Sequence, residues 1–146
     1  MIELIRVNTP QQWAAYHDIR RTVLFEERGK FFSGDYSENH PDDRRAENHG
    51  LLLIEDGQPR GAMRLDFYGD GLAVVRTVAI EVGQQRRGLG SAMMGLVEAY
   101  ATARAVVVLE VNSAPDAVAF YQRLDWLMID PLRESPLLRK RLNAER

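Results

Sequence analysis

The 146-residue chain has no cysteine, which removes disulfides, thiolate nucleophiles and cysteine-ligated zinc from consideration. Lysine is scarce, standing only at positions 30 and 140, so the basic charge is nearly all arginine. Charge of one sign is lacking too. Nineteen basic and 21 acidic residues leave a net charge of −2, which argues against a nucleic-acid partner held by a basic surface. No apolar stretch nears the roughly 18 residues of a membrane span. Met1 to Arg6 lacks a signal peptide's basic start and long apolar middle, so a cytoplasmic protein with no membrane partner is expected. His17, His40 and His49 lack metal-ligand spacing, and no metal site is expected. There is no repeat or linker, and an apolar share of 45% suits one domain over residues 1–146.

Period and punctuation outline the elements. Ile2 to Val7 is a short strand. Thr9-Pro10-Gln11-Gln12 reads as a capping box with proline at the first helical position. The apolar spacing of Trp13, Tyr16, Ile19, Val23 and Leu24 then carries a helix to Glu27–Gly29. A polar loop follows, Phe32 to Asn48, without a clear period; loops of such length tend to be lids or binding walls. Leu51 to Glu55 and Gly61 to Tyr68 flank Asp56-Gly57, a strong hairpin signal, and Gly69-Asp70-Gly71 turns the chain into Leu72 to Ile80. These strands form an antiparallel meander. A helix over Ser91 to Ala103 crosses over to the β-branched run Ala105 to Val111, which should lie parallel to the strand ending at Ile80. Asp116 to Leu124 is a short helix and Trp126 to Ile129 a strand. Leu137 to Leu142 reads as a last edge strand or a frayed tail. Trp13 and Trp126 read as core.

The most informative segment is Gln85-Arg86-Arg87-Gly88-Leu89-Gly90-Ser91, a Gly-rich turn between a strand and a helix. Free backbone N–H groups and the positive end of the helix dipole bind phosphate there. The two glycines admit an anion close to the backbone, and Arg86 and Arg87 add charge-assisted contacts. This is a pyrophosphate cradle. It has no Gly-Lys-Ser or Gly-Lys-Thr of a Walker loop. A dinucleotide fingerprint would need a third glycine where Met93 stands.

Gln85-x-x-Gly88-x-Gly90 follows the meander and precedes a crossover helix and a strand. Then comes Ala117-Val118-Ala119-Phe120-Tyr121. In this order the features resemble the GCN5-related N-acetyltransferase (GNAT) superfamily over most of Leu51 to Ile129. The resemblance implies an α/β acyltransferase fold: a mixed, mostly antiparallel sheet with a splayed parallel pair and helices on both faces. It implies acetyl-coenzyme A as co-substrate, with its pyrophosphate on the amides of Gln85, Arg86, Arg87, Gly88, Leu89, Gly90 and Ser91. The backbone of Val78, Ala79 and Ile80 would pair with the pantetheine arm as an added strand does. Tyr121 matches the position whose phenol points at the departing sulfur. A phenol with a pKa of about 10 stays protonated at neutral pH and can donate to a thiolate.

The chain departs from the family pattern in two places. Ala114 stands where an asparagine is common, with Asn112 nearby, and Asp125 replaces the usual glycine before the aromatic. Asp can adopt the left-handed turn that position requires. No general base stands out. Arg76 and Thr77 occupy the stretch where some relatives carry a glutamate, and Glu27, Glu81 and Glu110 remain as bases acting through water.

The expected activity is direct acetyl transfer to an amine of a small molecule or peptide. The alternative is a non-catalytic acyl-coenzyme A module on the same fold. The polar loop and first helix should form the acceptor side, where Asp35, Glu38, Asp42 and Asp43 would suit a cation and His40 and His49 could line the site. A homodimer is left open.

Overall fold

The computed structural model describes residues 1–27 and 38–142; of residues 25–27 it describes the backbone alone. Seven strands form one sheet in the order β1-β2-β3-β4-β5-β7-β6. They are β1 (Ile2–Arg6), β2 (Asn48–Glu55), β3 (Gln58–Gly69), β4 (Leu72–Ile80), β5 (Val108–Asn112), β6 (Leu127–Asp130) and β7 (Leu137–Arg141). Three helices accompany them: α1 (Pro10–Arg20), α2 (Leu89–Thr102) and α3 (Val118–Arg123). Every neighbouring pair is antiparallel except β4 and β5.

The period of β2 explains how the sheet carries helices on both faces. Leu51 and Leu53 join the core with Met93, Met94 and Val97 of α2. Leu52, between them, points the other way and packs with Tyr16 and Ile19 of α1. Alternate residues of one strand therefore serve two cores. The hairpin between β2 and β3 is closed by Asp56 (φ 50°) and Gly57 (φ 84°), both left-handed as an Asp-Gly turn of this kind requires.

Helix α1 begins as its capping box dictates. The Gln12 amide donates to Thr9 Oγ1 at 3.1 Å, and the Thr9 amide donates to Gln12 Oε1 at 3.0 Å. Its helical path reaches Glu27, though not as one regular helix. Regular α-helix ends at Arg20, and a wider π-type segment continues from Arg21 to Glu27. An extra residue per turn lets consecutive Val23 and Leu24 both be buried, at 5% and 8% exposure.

Two further boundaries moved. Helix α2 starts at Leu89 instead of Ser91. Ala105 takes a left-handed φ of 68°, so the ladder of β5 opens only at Val108. The last strand also corrects an expectation: β7 is not an edge but lies between β5 and β6. β6 forms the edge, which explains why Leu127 and Ile129 are exposed there while Leu138 of β7 is buried.

Candidate active site

The parallel pair at the centre of the sheet is short. Leu72, Ala73, Val74 and Val75 pair with Val108, Leu109, Glu110 and Val111, and there the pairing ends. β4 continues to Ile80 with β3 on its other side, so the strands splay and open a wedge. Opposite Met63 of β3, β4 carries both Thr77 and Val78: the register runs from Ala62–Ala79 directly to Arg64–Arg76. This is a β-bulge, a device that bends a strand and ends its pairing. Thr77 takes the left-handed φ of 51°, rare for a β-branched residue, and its buried Oγ1 has no hydrogen-bond partner among the described residues. Nothing in the sequence marked this residue for a bulge.

The wedge encloses about 360 Å³ and is walled by Leu24, Thr77, Val78, Val111, Ala114 and Tyr121, among others. Val78, Ala79 and Ile80 line the adjoining hollow with Phe120, and Ile80 and Phe120 also line the next, at the Gly-rich turn. Shared walls make the three hollows one groove along the free edge of β4.

At the far end of the groove, Gln85, Arg86, Gly88, Gly90 and Ser91 come together. Gly88 caps α2 at φ 80°, in the left-handed region, and no side chain caps the helix start. The first intrahelical bond there is from the Ala92 amide to the Gly88 carbonyl, so the amides just before it lack helical acceptors. A Cβ on Gly90 would stand 3.4 Å from the Phe120 ring, so the glycine seats that ring against the turn. Leu89 buries its side chain in the core and offers only its backbone. Gln85 Nε2 donates to the Ile80 carbonyl at 3.0 Å and ties the turn to the end of β4.

The two arginines separate. Arg87 binds both oxygens of Glu55, at 2.9 and 3.1 Å, and does not line the hollow. Arg86 lines it with no hydrogen-bond partner among the described residues. A second cation there, Arg123 of α3, went unnoticed in the sequence. Its signal was the three-residue spacing from Phe120, which places both on one face of a helix.

Tyr121 is 4% exposed. Its ring meets Phe120 and Trp126 edge-on, with centroids 5.1 and 5.2 Å away, so it packs the core while lining the wedge. Burial alone pushes its phenol above the usual value. Asp125 takes the left-handed turn at φ 71°, and the Trp126 amide returns to the Tyr121 carbonyl at 3.1 Å to close α3. Asn112 lines the wedge, but its Oδ1 accepts from Arg133 Nη1 at 3.1 Å.

The carboxylates weighed as bases lie elsewhere. Glu110 pairs with Arg139 at 2.7 Å and Glu81 with Arg60 at 3.0 Å, and neither lines the wedge. The Glu27 side chain lies outside the described residues, as do Asp35 and the rest of residues 32–37 of the polar loop. The other loop acids weighed for the acceptor side are engaged. Asp43 is buried between Arg20 and Arg64, Glu38 meets Arg21 at 2.8 Å, and Asp42 meets Arg45 at 3.4 Å. His40 accepts from the Asp42 amide, and His49 lies 2.7 Å from the Tyr100 hydroxyl; neither lines the wedge.

A sequence profile described as the acetyltransferase (GNAT) family matches residues 13–126. Among solved structures, an N-acetyltransferase assigned in Lactobacillus plantarum is 24% identical, covering 97% of this chain and 99% of that one, with a TM-score of 0.82. The PaiA N-acetyltransferase of Thermoplasma acidophilum, crystallised with coenzyme A, is 12% identical with coverages of 97% and 99% and a TM-score of 0.79. An acyl-CoA N-acyltransferase of Pseudomonas aeruginosa is 19% identical with coverages of 96% and 98% and a TM-score of 0.76. The mixed, mostly antiparallel sheet with its parallel pair is thus that of a shared fold, and the chain belongs to the acetyltransferase (GNAT) family.

Proposed function

We propose that this chain transfers an acetyl group from acetyl-coenzyme A directly to an amine of a small molecule or peptide. Family membership supports acetyl transfer in general, and the structure of the Thermoplasma relative with coenzyme A supports the donor. One observation carries the reading: a continuous groove joins an uncapped helix start to a wedge lined by a buried, protonated phenol.

Coenzyme A would lie along this groove. Amides from Gly88 to Ser91, which lack helical acceptors, would hold the pyrophosphate with Arg86 and Arg123. The edge of β4 from Val78 to Ile80, where the Ile80 carbonyl already accepts from Gln85, would offer its remaining peptide groups to the amide-bearing pantetheine arm. Bound there, acetyl-coenzyme A supplies a thioester carbonyl open to attack. The amine nitrogen forms the new C–N bond as the C–S bond breaks. Tyr121 would give its proton to the departing sulfur, and the amine's proton would leave to water. Peptide N–H groups at the Thr77–Val78 bulge would meet the charge growing on the carbonyl oxygen. The chain's largest contribution is positioning.

The test is thiol release from acetyl-coenzyme A over a panel of amines, alongside thermal shifts with coenzyme A, ATP and NAD. A ligand held only by the folded chain at a hundred times its Kd stabilises it by about 2.7 kcal/mol. Release with some amine, and a shift specific to coenzyme A, are expected. A coenzyme A shift without release from any amine would leave the non-catalytic module standing, and a larger shift with ATP or NAD would overturn both readings.

A further inference from the structure

Arg76 is the single charged side chain lining the wedge among the described residues. The other polar groups of the wall, Thr77, Asn112, Ser113 and Ser135, are neutral. An amine acceptor therefore meets a cation on the wall of the wedge, where the acidic loop had suggested a cationic substrate.

The surroundings of Arg76 leave its charge only partly answered. Its ionic partner is Asp66, reached from Nε at 3.3 Å. Asp66 is already claimed on both oxygens by Arg64, from Nε at 2.7 Å and from Nη2 at 3.0 Å. That paired, two-pronged geometry is the stronger arrangement for a guanidinium and a carboxylate. Asp66 is 4% exposed, so Arg64 neutralises it where screening by water is weak. Arg76 Nη2 donates to the Tyr68 hydroxyl at 2.9 Å, and Nη1 has no partner among the described residues. The Arg76 side chain is 34% exposed. It is thus anchored by Asp66 and Tyr68, faces the wedge, and keeps both positive charge and free N–H groups.

A cation in that place acts on the acceptor in two ways. It opposes a second positive charge on the substrate, which disfavours polyamines and other dications. It also lowers the pKa of a nearby amine, favouring the neutral form that can attack. An anionic group on the acceptor would receive the free N–H groups of Arg76, and the planar guanidinium suits a carboxylate. We infer that Arg76 selects an acceptor bearing a carboxylate, an amino acid or a similar amino-carboxylate, and holds that group while the amine faces the thioester. This rests on the proposed acetyl transfer and narrows its substrate class.

The test uses matched acceptors with and without the carboxylate: alanine against ethylamine, leucine against 3-methylbutylamine, and phenylalanine against phenethylamine. With saturating acetyl-coenzyme A and the full chain, kcat/KM is read from thiol release for wild type, Arg76→Gln and Arg76→Lys. The wild type should favour the carboxylate member of at least one pair by tenfold or more. That ratio should fall close to one in Arg76→Gln and recover in part in Arg76→Lys. Asp66 keeps Arg64 in every variant, so a ratio within one variant is insensitive to a general loss of folded protein. A wild-type ratio near one in all pairs, or a preference that survives in Arg76→Gln, overturns the inference.

Should no amine release thiol, acetyl transfer fails while the inference is still decided by binding. N-acetylphenylalanine and its uncharged amide are titrated by calorimetry into chain saturated with coenzyme A. Binding of the acid at least tenfold tighter than the amide, lost in Arg76→Gln, upholds a carboxylate site. Equal binding, or none, overturns it.

Discussion

Tyr121 and Thr77 show how much of this site turns on single residues. Tyr121 sits among aromatic rings with its phenol pushed up by burial alone, so it stays protonated throughout the neutral range. Tyr121→Phe should leave the core packing nearly intact and the coenzyme A Kd within about twofold. It should lower kcat by about 10²-fold, the low end of general acid catalysis; stopped-time thiol assays and calorimetry read the two quantities separately. The sign of its pH effect also follows. The folded state keeps the proton that the unfolded chain releases near pH 10, so the contribution to stability is whole below that value and is lost above it.

Thr77 holds a left-handed backbone and a buried hydroxyl without a partner among the described residues. Such conformations cost about 1–3 kcal/mol and persist where the surroundings impose them. A glycine inside an ordinary strand destabilises by roughly 0.5–1 kcal/mol. At this position the sign should reverse: Thr77→Gly is expected to raise the urea midpoint while lowering turnover, because the bulge no longer has its imposed shape. A fall in the midpoint would remove strain from the account.

Among the elements, the start of α2 carries the strongest local commitment. Gly88 at φ 80° ends the turn in a conformation that costs an alanine about 1 kcal/mol or more, and its missing Cβ has open space around it. Gly88→Ala therefore acts through backbone conformation alone. It should lower Tm by a few degrees and weaken coenzyme A several-fold by turning the free amides away, as thermal melts and calorimetry would show. This element was legible because its instructions are local: two glycines, a strand before, a helix after. The capping box of α1, the Asp-Gly hairpin and the left-handed Asp125 were legible for the same reason. β7 was not. Leu137 to Leu142 has no local feature that distinguishes an edge from an interior strand, and its place between β5 and β6 follows from two partners distant in sequence. The π-type end of α1 was equally hidden, since the same apolar spacing fits a regular helix until the sheet beneath it demands otherwise.

Across the whole molecule, a buried ionic network ties the 3-10 turn Pro41–Arg44 to α1 and the sheet. Asp43 is 4% exposed and accepts from Arg20 at 3.1 Å and from Arg64 at 3.3 Å; Arg64 in turn holds Asp66, which anchors Arg76. Burial by itself would raise the Asp43 carboxyl, yet the Arg20 and Arg64 guanidiniums outweigh it and hold the group below its usual value. Asp43→Asn leaves buried guanidiniums underpaired and should cost about 3 kcal/mol by urea unfolding, in line with breaking one side of a buried pair. Its contribution is complete above the ordinary carboxyl value near 4 and disappears as pH falls through the lower folded value. His49 acts over a higher window. Burial first, then the nearby Arg6 and Arg104, bring its imidazole down to about 4, so the folded chain resists a proton that the unfolded chain accepts near 6.5. Stability should decline as pH falls from 6.5 towards 4, and His49→Gln should flatten that slope in urea midpoints measured across the range.

The sequence by itself determined what neighbouring residues can settle: the strands of the meander, the capped first helix, the Gly-rich turn and the short helix that carries the tyrosine. Those are matters of φ, period and hydrogen-bonding groups within a few positions. Only the tertiary structure decided that the arginine pair divides, one side chain to Glu55 and one to the groove, and that Glu81 and Glu110 are occupied by arginines outside the wedge. Only it placed Arg76 on the wall of the wedge. A charged side chain's role depends on which opposite charge reaches it first, and partners here such as Arg87 and Glu55 stand 32 residues apart in the chain.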